Sequence, residues 1–250
     1  MKKLAMVPAY NEGESVEFVI SELGRHAPGF DVLVIDDGSA DDTVERAEAA
    51  GATVIRHPFN LGIGGAVQSG FKHAQRHGYD VAVQVDGDGQ HDPRYLEPML
   101  EKLHTSGDAD MVCGTRFRGE EAGYAVPRAR RAGIRIFRFL LSSMLGEKIT
   151  DPTSGFRMTN RRGIELFARD YPHDYPEVEA ILMLHAHKLQ LHEFPVRMRE
   201  RDTGVSSIGF TQSAYYMVRV TLALAVGLFR RRPLPPPGEQ LMPGLPAVEG

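Results

Sequence analysis

Residues 81–89 read Val-Ala-Val-Gln-Val-Asp-Gly-Asp-Gly, a mostly apolar run that ends in two carboxylates separated by one glycine. Residues 31–39 read Asp-Val-Leu-Val-Ile-Asp-Asp-Gly-Ser, another apolar run that ends in two carboxylates, here adjacent to each other. A short apolar run bounded by turn residues is typical of a strand that is buried on both faces of a sheet. Because ligands of open α/β sheets bind beyond the carboxyl ends of the strands, the acidic residues of both runs are candidate functional residues.

Patterns of strand and helix alternate outward from these two runs. Apolar runs predict strands at residues 4–7, 31–35, 53–55, 81–85, 111–114 and 191–198. Helical spacing and helix-stop residues predict helices at residues 13–26, 40–50, 64–77, 93–103, 127–145, 176–188 and 213–229. This alternation predicts an α/β fold, a three-layer α/β/α sandwich with a mostly parallel central sheet.

The composition is that of a globular protein. Hydrophobic residues make up 42% and charged residues 25% of the 250 residues, which excludes wholesale disorder. The single cysteine, Cys113, excludes an intramolecular disulfide and a four-cysteine zinc site. No apolar run reaches the roughly 18 residues that a transmembrane helix needs, so no such helix is expected.

Charge is divided unevenly along the chain. Residues 1–115 hold 9 Lys and Arg against 19 Asp and Glu, whereas residues 116–250 hold 20 against 14. An acidic half suits metal ions and a basic half suits phosphates or an anionic surface, and the alternative is an accidental split of surface charge.

Two carboxylates one residue apart at a strand end can bind a hard divalent cation together. Asp86 and Asp88 offer such oxygens, and Gln90 offers a further one. Mg²⁺ or Mn²⁺ in such a site keeps some water ligands and accepts phosphate oxygens. A plain turn is the alternative for this stretch rich in Asp and Gly. By the same argument, Asp36 and Asp37 suit hydrogen bonds to a base or a ribose, or else they cap the next helix.

The glycine-rich stretch at residues 60–65 matches neither of two familiar phosphate-binding loops. Val67 stands where a dinucleotide fingerprint needs its third glycine, and Phe71 precedes Lys72 where a P-loop would already have its lysine. A tight connection into a helix is favoured, and close approach to a ligand is the alternative.

The second half of the chain is basic, with seven arginines within residues 116–138. Arginine binds phosphate through paired hydrogen bonds, and a basic helix with large apolar residues also suits an anionic membrane surface. The helix at 213–229 is either part of the core or interfacial, and six prolines in the last eighteen residues predict a disordered tail. Nucleic-acid binding is not expected, because the chain has no Trp and no recognised nucleic-acid motif.

In chain order, these pieces resemble the family 2 glycosyltransferases of the GT-A fold, in particular the polyprenyl-phosphate and dolichyl-phosphate sugar synthases. Seven motifs carry the resemblance over residues 4–210. They are Pro8-Ala9-Tyr10-Asn11-Glu12, Asp36-Asp37-Gly38-Ser39 with Asp41, Asn60-Leu61-Gly62 through Gly70-Phe71, Asp86-Gly87-Asp88-Gly89-Gln90-His91-Asp92-Pro93, Gly114-Thr115-Arg116, Asp151-Pro152-Thr153-Ser154-Gly155-Phe156-Arg157 and Arg201-Asp202-Thr203-Gly204-Val205-Ser206. Any single motif is modest, but seven in this order are highly specific.

The resemblance implies a role for each part of the site. The residues that would hold the nucleoside of a sugar-nucleotide donor are Pro8, Ala9, Tyr10, Glu12, Ile35 and Asp37. The ribose and diphosphate would meet Asp86, Gly87 and Asp88. Asp88 and Gln90, with Asp86 as a further candidate, would ligate Mg²⁺ or Mn²⁺. Arg116 and Arg201 would contact donor or acceptor phosphates.

The implied reaction is a single displacement that inverts the anomeric carbon of a hexose from a GDP- or UDP-sugar. The candidate catalytic residues are Asp88, Asp151, Glu179, Arg116 and Arg201. A polyprenyl-phosphate acceptor is already anionic, whereas a saccharide hydroxyl in cell-wall or capsule assembly needs a carboxylate base. The candidates for that base are Asp151, Glu177 and Glu179. A sugar-nucleotide-binding regulatory module is the non-enzymatic alternative.

The expected organisation is a GT-A domain at residues 1–210, with a nucleotide-binding half at 1–115 and an acceptor half at 116–210. An apolar and basic helix at 211–232 suits a membrane surface, and a proline-rich tail follows at 233–250. We expect a cytoplasmic protein at the inner face of the cytoplasmic membrane, bound peripherally or through a membrane-protein partner. Assembly into a homo-oligomer is left open.

Overall fold

A computed structural model of the chain describes residues 1–117, 138–139, 141–143, 146, 148–173 and 176–199. Most of the helix predicted at 127–145 and all of the helix predicted at 213–229 lie outside these residues, and so does the predicted tail. The division of the chain into the domains expected from the sequence therefore stays a prediction.

The strands of the described residues form one central sheet. They are β1 (Lys3–Ala9), β2 (Asp31–Asp36), β3 (Thr53–Arg56), β4 (Val81–Gln84), β5 (Ala109–Thr115), β6 (Arg157–Asn160) and β7 (Gln190–Pro195). Their order across the sheet is β3-β2-β1-β4-β6-β5-β7. Neighbouring strands are parallel except where β6 pairs with β4 and with β5. The prediction of a mostly parallel sheet is confirmed.

Helices cover both faces of this sheet. They include α1 (Val16–His26), α2 (Thr43–Ala49), α3 (Gly62–Arg76), α4 (Leu96–Thr105), α5 (Arg161–Arg169) and α6 (Pro176–Ala186). Side chains of α1, α2 and α4 share one core with Ala5 and Val7 of β1, whereas side chains of α3, α5 and α6 share the other with Leu4 and Met6. This alternation along β1 is the two-residue period of a strand, and it confirms the three-layer sandwich. In the part of the chain that the structure describes, no helix is both long and apolar enough to cross a membrane.

The sequence patterns do not predict β6 and α5. β6 reads Arg-Met-Thr-Asn and has no apolar run, yet Met158 and Thr159 are fully buried because β4 and β5 flank the strand. The side chain of Asn160 then accepts a hydrogen bond from the N–H of Gly163 at 3.1 Å and caps the start of α5. Tertiary contacts and a helix cap, rather than hydrophobic periodicity, therefore establish these two elements.

The glycine-rich stretch at 60–65 forms a tight connection into α3. A Cβ on Gly64 would lie 2.3 Å from the carbonyl oxygen of Pro172, so only glycine lets this turn of α3 approach that segment. A Cβ on Gly65 would lie 2.6 Å from the Leu61 side chain. Close packing accounts for these glycines without a bound phosphate.

Candidate active site

The loops that follow β1 and β2 are joined beside the carboxyl ends of these parallel strands. The N–H of Asn11 donates to Ser39 Oγ at 2.8 Å, and its Oδ1 accepts from the N–H of Ala40 at 2.9 Å. Asn11 has a φ of 54°, in the left-handed region that Asn tolerates better than most residues. The N–H of Asp37 donates to the carbonyl of Ala9 at 2.9 Å, so the acidic end of β2 is held against the end of β1.

Asp37 is a buried carboxylate surrounded by three hydrogen-bond partners. Its Oδ1 accepts from the N–H of Leu61 at 2.9 Å and lies 2.8 Å from Nδ1 of His57, while Oδ2 accepts from the N–H of Gly62 at 2.8 Å. On the other side of the imidazole, Nε2 of His57 lies 2.9 Å from Ser69 Oγ. Asp37 therefore fixes the connection from β3 into α3.

Asp86, at the end of the β4 segment, is oriented by two neighbours. Its Oδ1 accepts from Nε2 of Gln84 at 2.9 Å, and its N–H donates to Nδ1 of His91 at 3.0 Å. Because Nδ1 accepts, the ring proton of His91 lies on Nε2, 3.5 Å from Asp86 Oδ2. The buried imidazole of His91 also stacks on Phe156 at a centroid distance of 4.7 Å. The carboxylate of Asp86 is thereby held in one place.

The chemistry of the donor set at residues 86–90 fits a hard divalent cation. Asp88 and Gln90 offer carboxylate and amide oxygens beside Asp86, and the N–H of Gln90 donates to Asp88 Oδ1 at 3.0 Å. A Cβ on Gly155 would lie 3.3 Å from Asp86 Oδ2, so glycine at 155 keeps the space beside that carboxylate open. Among the described residues no cluster of three or more His, Cys, Asp or Glu side chains could hold a metal, so a cation here would also need water or ligand oxygens.

Arg116 and Asp151, both predicted catalytic residues, form an ion pair with each other. Arg116 donates from Nε to Oδ2 at 2.7 Å and from Nη2 to Oδ1 at 2.8 Å, and its backbone N–H reaches Oδ2 at 3.1 Å. Asp151 is fully buried, and its own N–H donates to Oε1 of Glu193 at 2.9 Å. The arrangement fixes the guanidinium of Arg116 at the end of β5.

The sequence matches the profile of Glycosyl transferase family 2 over residues 5–167. It is 31% identical over 224 residues to the undecaprenyl-phosphate mannosyltransferase of Micrococcus luteus, a match that covers 83% of this chain and 88% of that protein. The chain belongs to glycosyl transferase family 2. It is a glycosyltransferase, as the resemblance of its motifs predicts.

Other similarities agree with this assignment. The glycosyltransferase is 27% identical over 228 residues to the polyprenol monophosphomannose synthase of Mycolicibacterium smegmatis, covering 88% of this chain and 85% of that protein. A solved complex of glucosyl-3-phosphoglycerate synthase from Mycobacterium tuberculosis with Mn²⁺, uridine diphosphate and phosphoglyceric acid matches with a TM-score of 0.67 at 20% identity. That match covers 90% of this chain and 78% of the other, and it confirms the GT-A fold.

The predicted nucleoside-binding residues of this glycosyltransferase differ in how they could contact a ligand. The Tyr10 side chain is half-exposed, whereas Pro8, Ala9 and Ile35 are buried, and the Ile35 side chain lies in the core against α3. Pro8 and Ala9 could meet a nucleoside only through their backbone, whereas Ile35 is 0% exposed as a whole residue. Glu12 accepts from Ser15 Oγ at 2.8 Å through Oε2, and its N–H donates to Thr43 Oγ1. The predicted role of Arg201 lies outside the described residues.

Arg157 connects the loop at 151–156 to the start of α6. Its Nε donates to the carbonyl of Ser154 at 2.8 Å, and its Nη2 donates to the carbonyls of Pro152 and Glu177. Burial raises the pKa of Glu177 above its usual range, although the charge of Arg157 opposes this effect. Glu177 and Glu179 are both partly exposed on the first turn of α6.

Sequence reasoning missed the residues that hold the acidic side chains in place. Four of them are His57, Ser69, Gln84 and His91. Gln84 had one available signal, since it is the polar residue in an otherwise apolar strand. His57 and Ser69 are separated by 12 residues and show no joint pattern, so only the fold brings them together.

Proposed function

We propose that this glycosyltransferase transfers a hexose from a nucleoside-diphosphate sugar to a polyprenyl phosphate, with inversion at the anomeric carbon and with a divalent cation. The names of two relatives, an undecaprenyl-phosphate mannosyltransferase and a polyprenol monophosphomannose synthase, support this acceptor. The observation that carries the proposal is the place of the turn at 86–88, which follows β4 next to the loop of β1. A donor lying across these strand ends would bring its diphosphate to the turn.

The nucleoside end of the donor would lie against the loops of β1 and β2. The half-exposed ring of Tyr10 offers a flat surface on which a base can stack. Asp37 already has three hydrogen-bond partners, so its part is to shape the base site by holding residues 57–62 in place. The backbone of Pro8 and Ala9 would complete the contact.

Asp88 and Gln90 would hold the cation, with Asp86 beside them. Bound there, Mg²⁺ or Mn²⁺ would offset the negative charge of the departing nucleoside diphosphate. Gln84 and His91 restrict Asp86 to one position, and the N–H of Gln90 does the same for Asp88. Such fixed oxygens lower the cost of ordering the site when the donor binds.

An acceptor phosphate is already anionic and needs no strong base to attack the anomeric carbon. Arg116 and Arg201 would neutralise phosphate oxygens near the reaction centre. In this proposal Asp151 positions Arg116 through its two-point ion pair and takes no proton.

A saccharide hydroxyl is the second candidate acceptor, and two observations favour it. Glu177 is partly buried on the first turn of α6, and this burial raises its pKa, as suits a general base or acid. Ser207 also stands where polyprenyl-phosphate sugar synthases often have a lysine. The two acceptors are distinguished by whether the labelled product extracts into organic solvent.

The proposed place of action is the inner face of the cytoplasmic membrane. Six arginines within residues 118–138 would bind anionic lipid headgroups. Sedimentation with phosphatidylglycerol liposomes at low salt tests this part, and we expect binding that added salt reverses. Absence of binding at low salt would contradict a direct membrane contact.

Thermal shift tests the donor site. We expect nucleoside diphosphates to raise the melting temperature only with Mn²⁺ or Mg²⁺, since a ligand at a hundredfold excess over its dissociation constant stabilises by about 2.7 kcal/mol. Asp88→Asn should remove the cation-dependent shift. Asp42→Asn is the matched control, because Asp42 is exposed and its ion pair with Arg46 lies within the first turns of α2. A folded wild-type protein that responds to no nucleotide would contradict the proposal.

A further inference from the structure

Arg199 joins three parts of the molecule that are far apart in the sequence. It lies just beyond β7, and its Nη2 donates to Oε2 of Glu22 at 2.7 Å and to Oδ1 of Asp92 at 3.2 Å. Its backbone N–H donates to the carbonyl of Gln90 at 3.0 Å. The segment that leaves β7 is thereby attached both to α1 and to the loop after β4.

The surroundings make this attachment strong. The side chains of Glu22 and Asp92 are 11% and 4% exposed, so both carboxylates need a cation close by. The guanidinium of Arg199 also lies 5.6 Å from the ring centroid of Phe18.

The contacts of Arg199 continue directly into the proposed cation site. Gln90 is held on both sides, because its carbonyl accepts from Arg199 and its N–H donates to Oδ1 of Asp88. A shift of Arg199 therefore moves the residue that orients Asp88.

We propose that Arg199 is a positioning residue for cation and diphosphate binding, which sets the place of Gln90 and Asp88. The proposal rests on the proposed function, because it concerns the same cation site. In this role Arg199 would not itself bind the cation or the donor. It acts as outer partners of metal ligands do, and loss of such a partner typically weakens metal affinity about 10–100-fold.

The test measures Mn²⁺ binding itself. Free Mn²⁺ is followed by electron paramagnetic resonance while the full-length protein is titrated in the presence of a nucleoside diphosphate that binds the wild type. We expect Arg199→Ala to weaken Mn²⁺ binding about tenfold. Arg199→Lys keeps the charge and should recover part of the affinity. Arg94→Ala is the matched control, because Arg94 also pairs with Asp92 but its side chain is 65% exposed. It should leave Mn²⁺ affinity unchanged.

The outcomes separate this proposal from the proposed function. A folded Arg199→Ala protein with wild-type Mn²⁺ affinity overturns the positioning role and leaves the proposed function standing. Equal losses of Mn²⁺ affinity in Arg199→Ala and Arg94→Ala also overturn it. Such losses would show that any disturbance of Asp92 weakens binding, whichever arginine is removed. If Arg199→Ala does not fold, Glu22→Gln carries the test, and unchanged Mn²⁺ affinity there overturns the proposal. A wild-type protein with no cation-dependent nucleotide binding overturns both.

Discussion

The carboxylate of Asp151 holds the guanidinium of Arg116 by two parallel hydrogen bonds, at 2.7 and 2.8 Å. Asp151 is fully buried, and the side chain of Arg116 is 11% exposed. Two residues expected to serve catalysis separately are therefore one unit. Because the pair fixes a planar donor at the end of β5, its simplest use is to present Arg116 to a phosphate.

This pairing predicts how Asp151→Asn should behave. Removing one charge of a buried pair leaves the other uncompensated, so we expect a loss of about 3–5 kcal/mol in the free energy of unfolding. Glycosyl transfer should become slower. The pH dependence of kcat/KM should keep the shape it has in the wild type, because a positioning residue takes no proton. Urea unfolding and the pH dependence of kcat/KM are the measurements. Loss of the acidic limb of the profile would instead identify Asp151 as a general base.

The contact between Asp37 and His57 makes a second prediction. His57→Ala removes the hydrogen bond at 2.8 Å to a buried carboxylate, and we expect it to cost about 1.5–3 kcal/mol in the free energy of unfolding. Affinity for nucleoside diphosphates should fall as well, since the loop at 57–62 loses one of its attachments. Calorimetric titration measures that affinity. Ser69→Ala keeps the contact with Asp37 and should lose less of both, whereas equal losses would contradict the account.

The sequence was sufficient for six of the seven strands in the described sheet and for the location of the acidic turns. The apolar run at 81–85 is followed by carboxylates, and this local pattern predicts a strand and a turn. The structure has β4 and the turn at 86–88 there. β6 could not be predicted in the same way. Its burial depends on β4 and β5, which are distant in the sequence. The residues of β6 themselves form no apolar run from which a buried strand could be predicted.

The same limit applies to the site. The residues that offer oxygens to a ligand, Asp86 and Asp88, stand out in the sequence because they follow a strand. The partner of Arg116 does not stand out, since Asp151 is 35 residues away and the pairing depends on how the chain returns to the end of β5. Side-chain partners across such distances follow from the fold and not from spacing.

Two glycines allow a direct test of the packing between α3 and the segment at 171–173. A Cβ on Gly64 would lie 2.3 Å from the carbonyl oxygen of Pro172. That oxygen belongs to the backbone, so it cannot move aside as the end of a flexible side chain could. We expect Gly64→Ala to lower the free energy of unfolding by about 1–3 kcal/mol. Gly24→Ala is the control, because Gly24 lies in α1 with nothing within 4 Å, and it should stabilise by about 0.5–1 kcal/mol. Equal effects in thermal unfolding would show that the contact is absent.

The raised pKa of Glu177 predicts a pH-dependent stability. Its pKa is higher in the folded than in the unfolded chain, so the folded protein binds more protons between the two values. The contribution of Glu177 to stability should therefore be lost as the pH rises from the unfolded value, about 4.3, through the folded one. We therefore compare the free energy of unfolding of Glu177→Gln with that of the wild type at each pH. The difference should favour the variant more at pH 7 than at pH 4. A difference of opposite sign in urea titrations at the two pH values would contradict the raised pKa.

The most direct test of the central claim is a transfer assay with purified protein, undecaprenyl phosphate in detergent, Mn²⁺, and GDP-mannose, UDP-glucose and UDP-N-acetylglucosamine, each labelled in the sugar. The account predicts that one of these donors places label in the organic phase, in an acid-labile product of inverted anomeric configuration, and that Asp88→Asn abolishes the transfer. A protein that binds the nucleotide with Mn²⁺ but transfers label only to saccharide hydroxyls, or to nothing, would contradict it.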